Sequence, residues 1–150
     1  MHGVRALAEV LESYAARGVF RSFSQAGEGE YRFRWLWNLP FRVRFDGKSL
    51  RFEKLLPRVP AASPLYRELK GFLKDCASAG RPAHRRIDPR EVRVRCWNRR
   101  GTVSLVFDLV GGDYAMGTRK AVQVVNEVFL SFLALDHPQY LAEEFRIGEE

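Results

Sequence analysis

The chain has 150 residues, 46% of them hydrophobic and 13% aromatic, which suffices for one core without disulfides and excludes a disordered segment. No apolar run reaches the roughly 18 residues of a membrane span, and no basic stretch followed by an apolar core marks a signal peptide, so a cytoplasmic protein with no membrane contact is expected. A formal net charge of +7 points to an anionic partner, although the C-terminal segment from about 139 to 150 is acidic through Glu143, Glu144, Glu149 and Glu150.

Val4, Leu7, Val10, Leu11 and Tyr14 recur at helical spacing and predict a first helix over about 4–17, with Gly18 at its C-terminal cap. Residues 19–24 are compatible with a short strand. Strands are then predicted at about 30–37, 41–46 and 49–55. Asn38, Leu39 and Pro40 break the first pair, and Asp46-Gly47 between alternating segments is a strong hairpin signal. Ser63 before Pro64 is a good start for a second helix, whose apolar face is Leu65, Leu69, Phe72, Leu73 and Cys76. Residues 81–90 read as a loop carrying Arg81, Arg85, Arg86 and Arg90. Strands near 91–97 and 102–110 follow, joined by Asn98-Arg99-Arg100-Gly101 as a four-residue loop. The third helix is apolar nearly all round, through Ala121, Val122, Val124, Val125, Val128, Phe129, Phe132 and Leu133. Such a helix either sits centrally in the monomer or supplies a homodimer interface through Val125, Phe129 and Phe132. Pro138 opens a short final helix.

The expectation is a single α+β domain over 1–150, an antiparallel sheet with helices packed on one face in αβββαββα-type order. That order resembles the small homodimeric chaperones of type III secretion and related domains of the same architecture, over nearly the whole chain. The resemblance implies a non-enzymatic protein-interaction module, itself homodimeric. This chain departs from those chaperones in charge, since they are typically acidic.

Arginine alternates with large apolar residues in several of the strands. Tyr31, Phe33, Trp35 and Trp37 alternate with Arg32 and Arg34; Phe41, Val43 and Phe45 with Arg42 and Arg44; Leu50 and Phe52 with Arg51; Val92, Val94 and Cys96 with Arg93, Arg95 and Trp97. Period 2 places one set on each face of a strand. If the strands share a sheet, one face is apolar and the other is an arginine surface carrying an outward tryptophan. Arginine forks onto phosphate and a rigid tryptophan stacks on a base or anchors a protein interface, so nucleic-acid binding is the alternative to a protein partner. Glu30, Glu53, Glu91 and Asp108 fall among the same strands, and they either neutralise this surface by cross-strand pairing or leave an excess of arginine.

No catalytic constellation emerges. Gly112 to Arg119 has the glycine spacing of a phosphate loop, but Thr118 stands where lysine is required. Backbone amides at that helix start, with Arg119 and Lys120, remain a candidate anion site beside a plain glycine turn. His2, His84 and His137 have no metal-ligand spacing, so neither metal nor cofactor is expected. Asp108, Asp113 and Glu91 could approach one another, although pairing with Arg93 or Arg95 accounts for them. Cys76 and Cys96 are expected as free thiols.

Overall fold

The computed structural model describes residues 2–148 and, of His2, the backbone alone; the acidic residues Glu149 and Glu150 lie outside the described residues. The elements run α1 (His2–Ala16), β1 (Arg21–Gly27), β2 (Glu30–Trp35), β3 (Leu39–Phe45), β4 (Ser49–Leu56), α2 (Pro64–Asp75), β5 (Arg93–Arg99), β6 (Thr102–Asp108) and α3 (Tyr114–Glu127). Helix α3 continues through a wider π-type turn, Val128–Leu133, and a last turn, Ala134–Asp136, before the terminal helix Pro138–Phe145. The six strands form one antiparallel sheet in the order β1-β2-β3-β4-β6-β5. The expected α+β class and antiparallel sheet with packed helices are therefore present, with a four-stranded meander preceding α2.

Hydrophobic patterning decides the layers. Tyr31, Phe33, Trp35, Phe41, Val43, Phe45, Leu50, Phe52, Val103, Leu105 and Phe107 are all buried, on one face of the sheet. Their rings meet α3 and the segment before β1: Phe20 stacks on Phe33 at 3.9 Å between centroids, and Phe41 meets Phe129 edge-on at 5.8 Å. Burial of such large side chains contributes roughly 1.5–3 kcal/mol each. Ser63 caps α2 by accepting a hydrogen bond from the Tyr66 amide.

Turn chemistry follows the sequence at Asp46-Gly47, where Asp46 accepts hydrogen bonds from the Lys48 and Ser49 amides and Gly47 has φ of 101°. Two turns differ from expectation. β5 runs on to Arg99, so its hairpin closes through Arg100 and Gly101 alone, both with positive φ as a two-residue hairpin turn requires. The β2–β3 loop is Leu36, Trp37 and Asn38, all left-handed with φ of 46°, 56° and 62°. Trp37 consequently sits at the rim of the apolar face, where its ring meets Phe129 at 6.4 Å between centroids yet stands 44% exposed.

Of the two readings of the third helix, the structure has the one that places it centrally in the monomer. Val125 is 0%, Phe129 1% and Phe132 4% exposed within the single chain, so this face is core and is closed to a second copy. A helix packed by the sheet on one side and by α1 and the terminal helix on others has to be apolar nearly all round.

Candidate anion-binding sheet face

The outer sheet face carries the alternate set of side chains. Arg32, Arg34, Arg42, Arg44, Arg93 and Arg95 are exposed, Arg51 is half-buried, and Trp97 is 43% exposed. The register brings like charges together: Arg32 lies directly opposite Arg42, and Arg44 opposite Arg51. Like charges in facing positions oppose folding. Carboxylates relieve part of this surface. Arg44 meets Glu30 at 2.8 Å, and Glu53 sits 3.7 Å from Arg51 and 3.9 Å from Arg44. Arg95 grips Asp108 with two hydrogen bonds, of 2.8 and 3.1 Å. Those bonds, with help from the Ser49 hydroxyl, outweigh burial and hold the Asp108 carboxyl below its usual range. Arg34 donates to the Asn38 carbonyl at 2.9 Å, and Arg93 reaches the Pro89 carbonyl. Arg32 and Arg42 have no acidic partner among the described residues.

Two grooves cross this face and share Glu53 and Lys54. The first, of about 380 Å³, is lined by Ser22, Arg32, Arg34, Arg42 and those two residues. The second, of about 350 Å³, adds Arg51, Trp97, Arg99 and Ser104. Register shifts flank the first groove. In β4, residues 53–55 face Ser104 alone, because Phe52 pairs with Leu105 and Leu56 with Val103. Lys54 adopts φ of 50° at this bulge, and its amide donates to Ser104 Oγ at 3.0 Å. Ser22 adopts φ of 53° at a second shift, between Arg21 and Ser24 of β1. Left-handed non-glycine residues cost about 1 kcal/mol or more, and bulges of this kind re-aim side chains. Strict alternation from Phe52 would send Lys54 inward; the bulge instead turns it out beside the arginines.

Two guanidinium groups approach the Trp97 ring. The Arg51 carbon Cζ is 4.3 Å and that of Arg95 5.5 Å from the indole ring centre, within cation–π range. Beneath them Val106, the cross-strand neighbour of both arginines, is fully buried although it faces outward.

Of the residues singled out from the sequence, Arg32, Arg34 and Arg42 share the first groove, and Arg51 and Trp97 the second. Arg44, Arg93 and Arg95 lie on the same face outside the grooves, and Arg119 is exposed on α3 in the helix layer. Arg99 and Lys54 were missed. Arg99 continues the parity of Arg93, Arg95 and Trp97 and was legible in principle, whereas Lys54 depended on the bulge.

At the start of α3 the geometry is that of the plain turn. Asp113 accepts the Met116 amide at 3.0 Å, supplying internally the negative group an anion would have provided. Gly117 packs against Leu109, whose side chain would have to shift for a Cβ that would sit 2.7 Å from its Cδ2, and the buried Thr118 hydroxyl donates to the Tyr114 carbonyl.

The arginines of the 81–90 loop are engaged within the fold. Arg81 and Arg85 both bind the buried Glu127 carboxylate, Arg85 at 3.0 Å, and Gln123 donates to its other oxygen at 3.1 Å. Burial pushes the Glu127 carboxyl up, but the bonds from Arg81, Arg85 and Gln123 outweigh it and leave the group below its usual range. Arg86 donates to the Ala79 and Arg81 carbonyls, and Arg90 pairs with Asp88. These arginines tie the loop to α3 and to itself.

Asp108, Asp113 and Glu91 do not converge: the first binds Arg95, the second caps α3, and the third packs against Gly111. Cys76 and Cys96 are free thiols, and burial pushes the Cys76 thiol up to about 11. Among the described residues no group of three His, Cys, Asp or Glu side chains is placed to hold a metal, and no helix is long and apolar enough to cross a membrane. The described part of the acidic segment lies in the helix layer, where Leu141 is buried and Glu144 pairs with Arg58 at 2.8 Å. The chain matches no family model, no curated protein and no solved structure.

Proposed function

We propose that this protein is a non-enzymatic binding module whose outer sheet face holds single-stranded nucleic acid in the cytoplasm. The observation that carries the reading is the facing pair Arg32 and Arg42, without a carboxylate partner, in a groove that continues past Lys54 to the exposed Trp97. A fold that places like charges opposite each other accepts a small loss of stability, which a bound polyanion reverses. Guanidinium groups fork onto successive phosphates, and an indole on a rigid strand stacks on an unpaired base, an arrangement suited to single strands rather than duplexes.

Six cations line the two grooves: Arg32, Arg34, Arg42, Arg51, Lys54 and Arg99. Engagement of four to six phosphates of a single strand gives a slope of log K against log[salt] of about −3 to −4. Binding of a labelled oligonucleotide at several salt concentrations measures this. Trp97→Ala should cost about 1–3 kcal/mol of affinity. Absence of binding at low salt, or binding indifferent to Trp97→Ala and to Arg32→Ala with Arg42→Ala, overturns the reading. Equal binding of polyglutamate would assign the face to an acidic protein segment instead.

The chaperone-like, protein-interaction reading keeps one specific observation, the exposed Trp37 held in a turn of three left-handed residues, with Leu130 and Leu135 also exposed. A homodimer or client docked there would leave the salt dependence weak, and light scattering tests the dimer directly.

A further inference from the structure

We infer that the second groove reads the base it holds, selecting nucleobases that carry an exocyclic amine, guanine first, through the Glu53 carboxylate. The inference rests on the nucleic-acid reading above. Glu53 is the one carboxylate among the residues lining either groove, and it lines both. In a trough built for phosphate, a negative charge weakens binding unless it contacts something other than phosphate.

Each oxygen of this carboxylate has a guanidinium in ion-pair range yet keeps its capacity to accept a hydrogen bond. The side chain is 18% exposed, and its nearest cations, Arg51 at 3.7 Å and Arg44 at 3.9 Å, stand beyond hydrogen-bond length. No hydrogen bond to either oxygen is present among the described residues. The bulge at Lys54, pinned by the bond from its amide to Ser104, holds Glu53 in the floor that joins the arginine groove to the tryptophan groove. A groove of about 350 Å³ lies at the small end of ligand pockets and suits one base stacked against Trp97 with its sugar.

An ionised carboxylate only accepts hydrogen bonds. Guanine offers N1–H and the N2 amine side by side, one donor for each carboxylate oxygen. Adenine and cytosine offer a single amine beside a ring acceptor. Uracil and thymine flank their one N–H with two carbonyl oxygens, which repel a carboxylate. Unpaired bases in a single strand present these edges to the protein. The expected order is therefore guanine, then adenine and cytosine, then uracil or thymine.

The test uses the full chain and heptauridylate as host, with the central base replaced in turn by guanine, adenine or cytosine, read by fluorescence anisotropy at one salt concentration. The guanine oligomer should bind at least about 5-fold tighter than heptauridylate, the size of one good base contact. Glu53→Gln, whose amide both donates and accepts, should bring that ratio close to 1 while overall affinity rises through loss of a negative charge. Equal binding of all four oligomers by the unaltered protein overturns base reading but leaves phosphate binding standing, and this result does not depend on any variant folding. Retention of the preference in folded Glu53→Gln also overturns it, reducing Glu53 to a counter-charge for Arg44 and Arg51. Failure of every oligomer to bind at low salt overturns this inference together with the reading beneath it.

Discussion

Replacing Arg42 by glutamine should raise stability and lower affinity together, a combination that a purely structural arginine would not produce. Arg42 faces Arg32 across β2 and β3, both are exposed, and neither has an acidic partner among the described residues. Facing side chains start about 5 Å apart at Cβ, and splayed guanidinium groups settle at roughly 7 Å. At the dielectric of water two unit charges at that distance repel by about 0.6 kcal/mol. Glutamine keeps most of the stem and removes the charge, so Arg42→Gln should gain about 0.5 kcal/mol, or about 1–2 °C in Tm for a domain of this size. The same change should make the salt slope less negative by about 0.7, one phosphate contact, and weaken oligonucleotide binding several-fold. Arg44→Gln is the control: Arg44 also faces an arginine but meets Glu30 at 2.8 Å, so its stability effect should be near zero or slightly unfavourable. Urea unfolding and anisotropy titration on one preparation read both quantities. A loss of more than about 1 kcal/mol in Arg42→Gln, or an unchanged affinity, would refute the reasoning, because either result means that Arg42 serves the fold or serves nothing.

Glu127→Ala should destabilise the protein by roughly 1–3 kcal/mol in urea unfolding, because it leaves the Arg81 guanidinium, whose side chain is only 11% exposed, with Asp75 at 3.6 Å as its remaining carboxylate. Glu127→Leu combined with Arg81→Met should recover most of that loss, since a buried pair is replaceable by apolar packing. Asp108 contributes through a carboxyl pKa lowered in the folded state, so its contribution is complete above the unfolded value near 3.8 and is lost as pH falls through the lower folded value. Asp108→Asn should accordingly flatten the acid end of the stability profile in pH-dependent thermal melts and leave its shape near neutrality unaltered. Phe129→Asp should abolish the folded state by circular dichroism, since Phe129 is 1% exposed beneath Phe41 and Phe145; a folded monomer arising from a dimer would contradict the core assignment.

Much of this molecule is local in origin and could be read along the chain. Alternation in Tyr31–Trp35 and Phe41–Phe45 assigned the arginines to one sheet face and the aromatics to the other, because successive side chains on a strand must point oppositely. Asp46-Gly47 marked its hairpin, and Ser63-Pro64 its helix start, because cap and turn residues satisfy nearby backbone groups regardless of the rest of the fold. The all-round apolar third helix announced its burial but not its cover, since a second copy and the chain's own sheet demand the same composition.

Which charges meet depends on how distant segments pack. The chain shows arginines and carboxylates in alternation, but strand pairing sets Arg32 against Arg42, brings Arg95 diagonally onto Asp108, and leaves Glu53 beside Arg44 and Arg51. The bulge that turns Lys54 outward needs Ser104, fifty residues away, and Arg81 and Arg85 are held by Glu127, more than forty residues away. Charge on a segment is a local property, whereas free charge is what remains after partners from distant segments arrive. The sequence by itself therefore determined that the protein has a basic sheet face, and the packing of remote strands and helices determined which part of that face is left to bind.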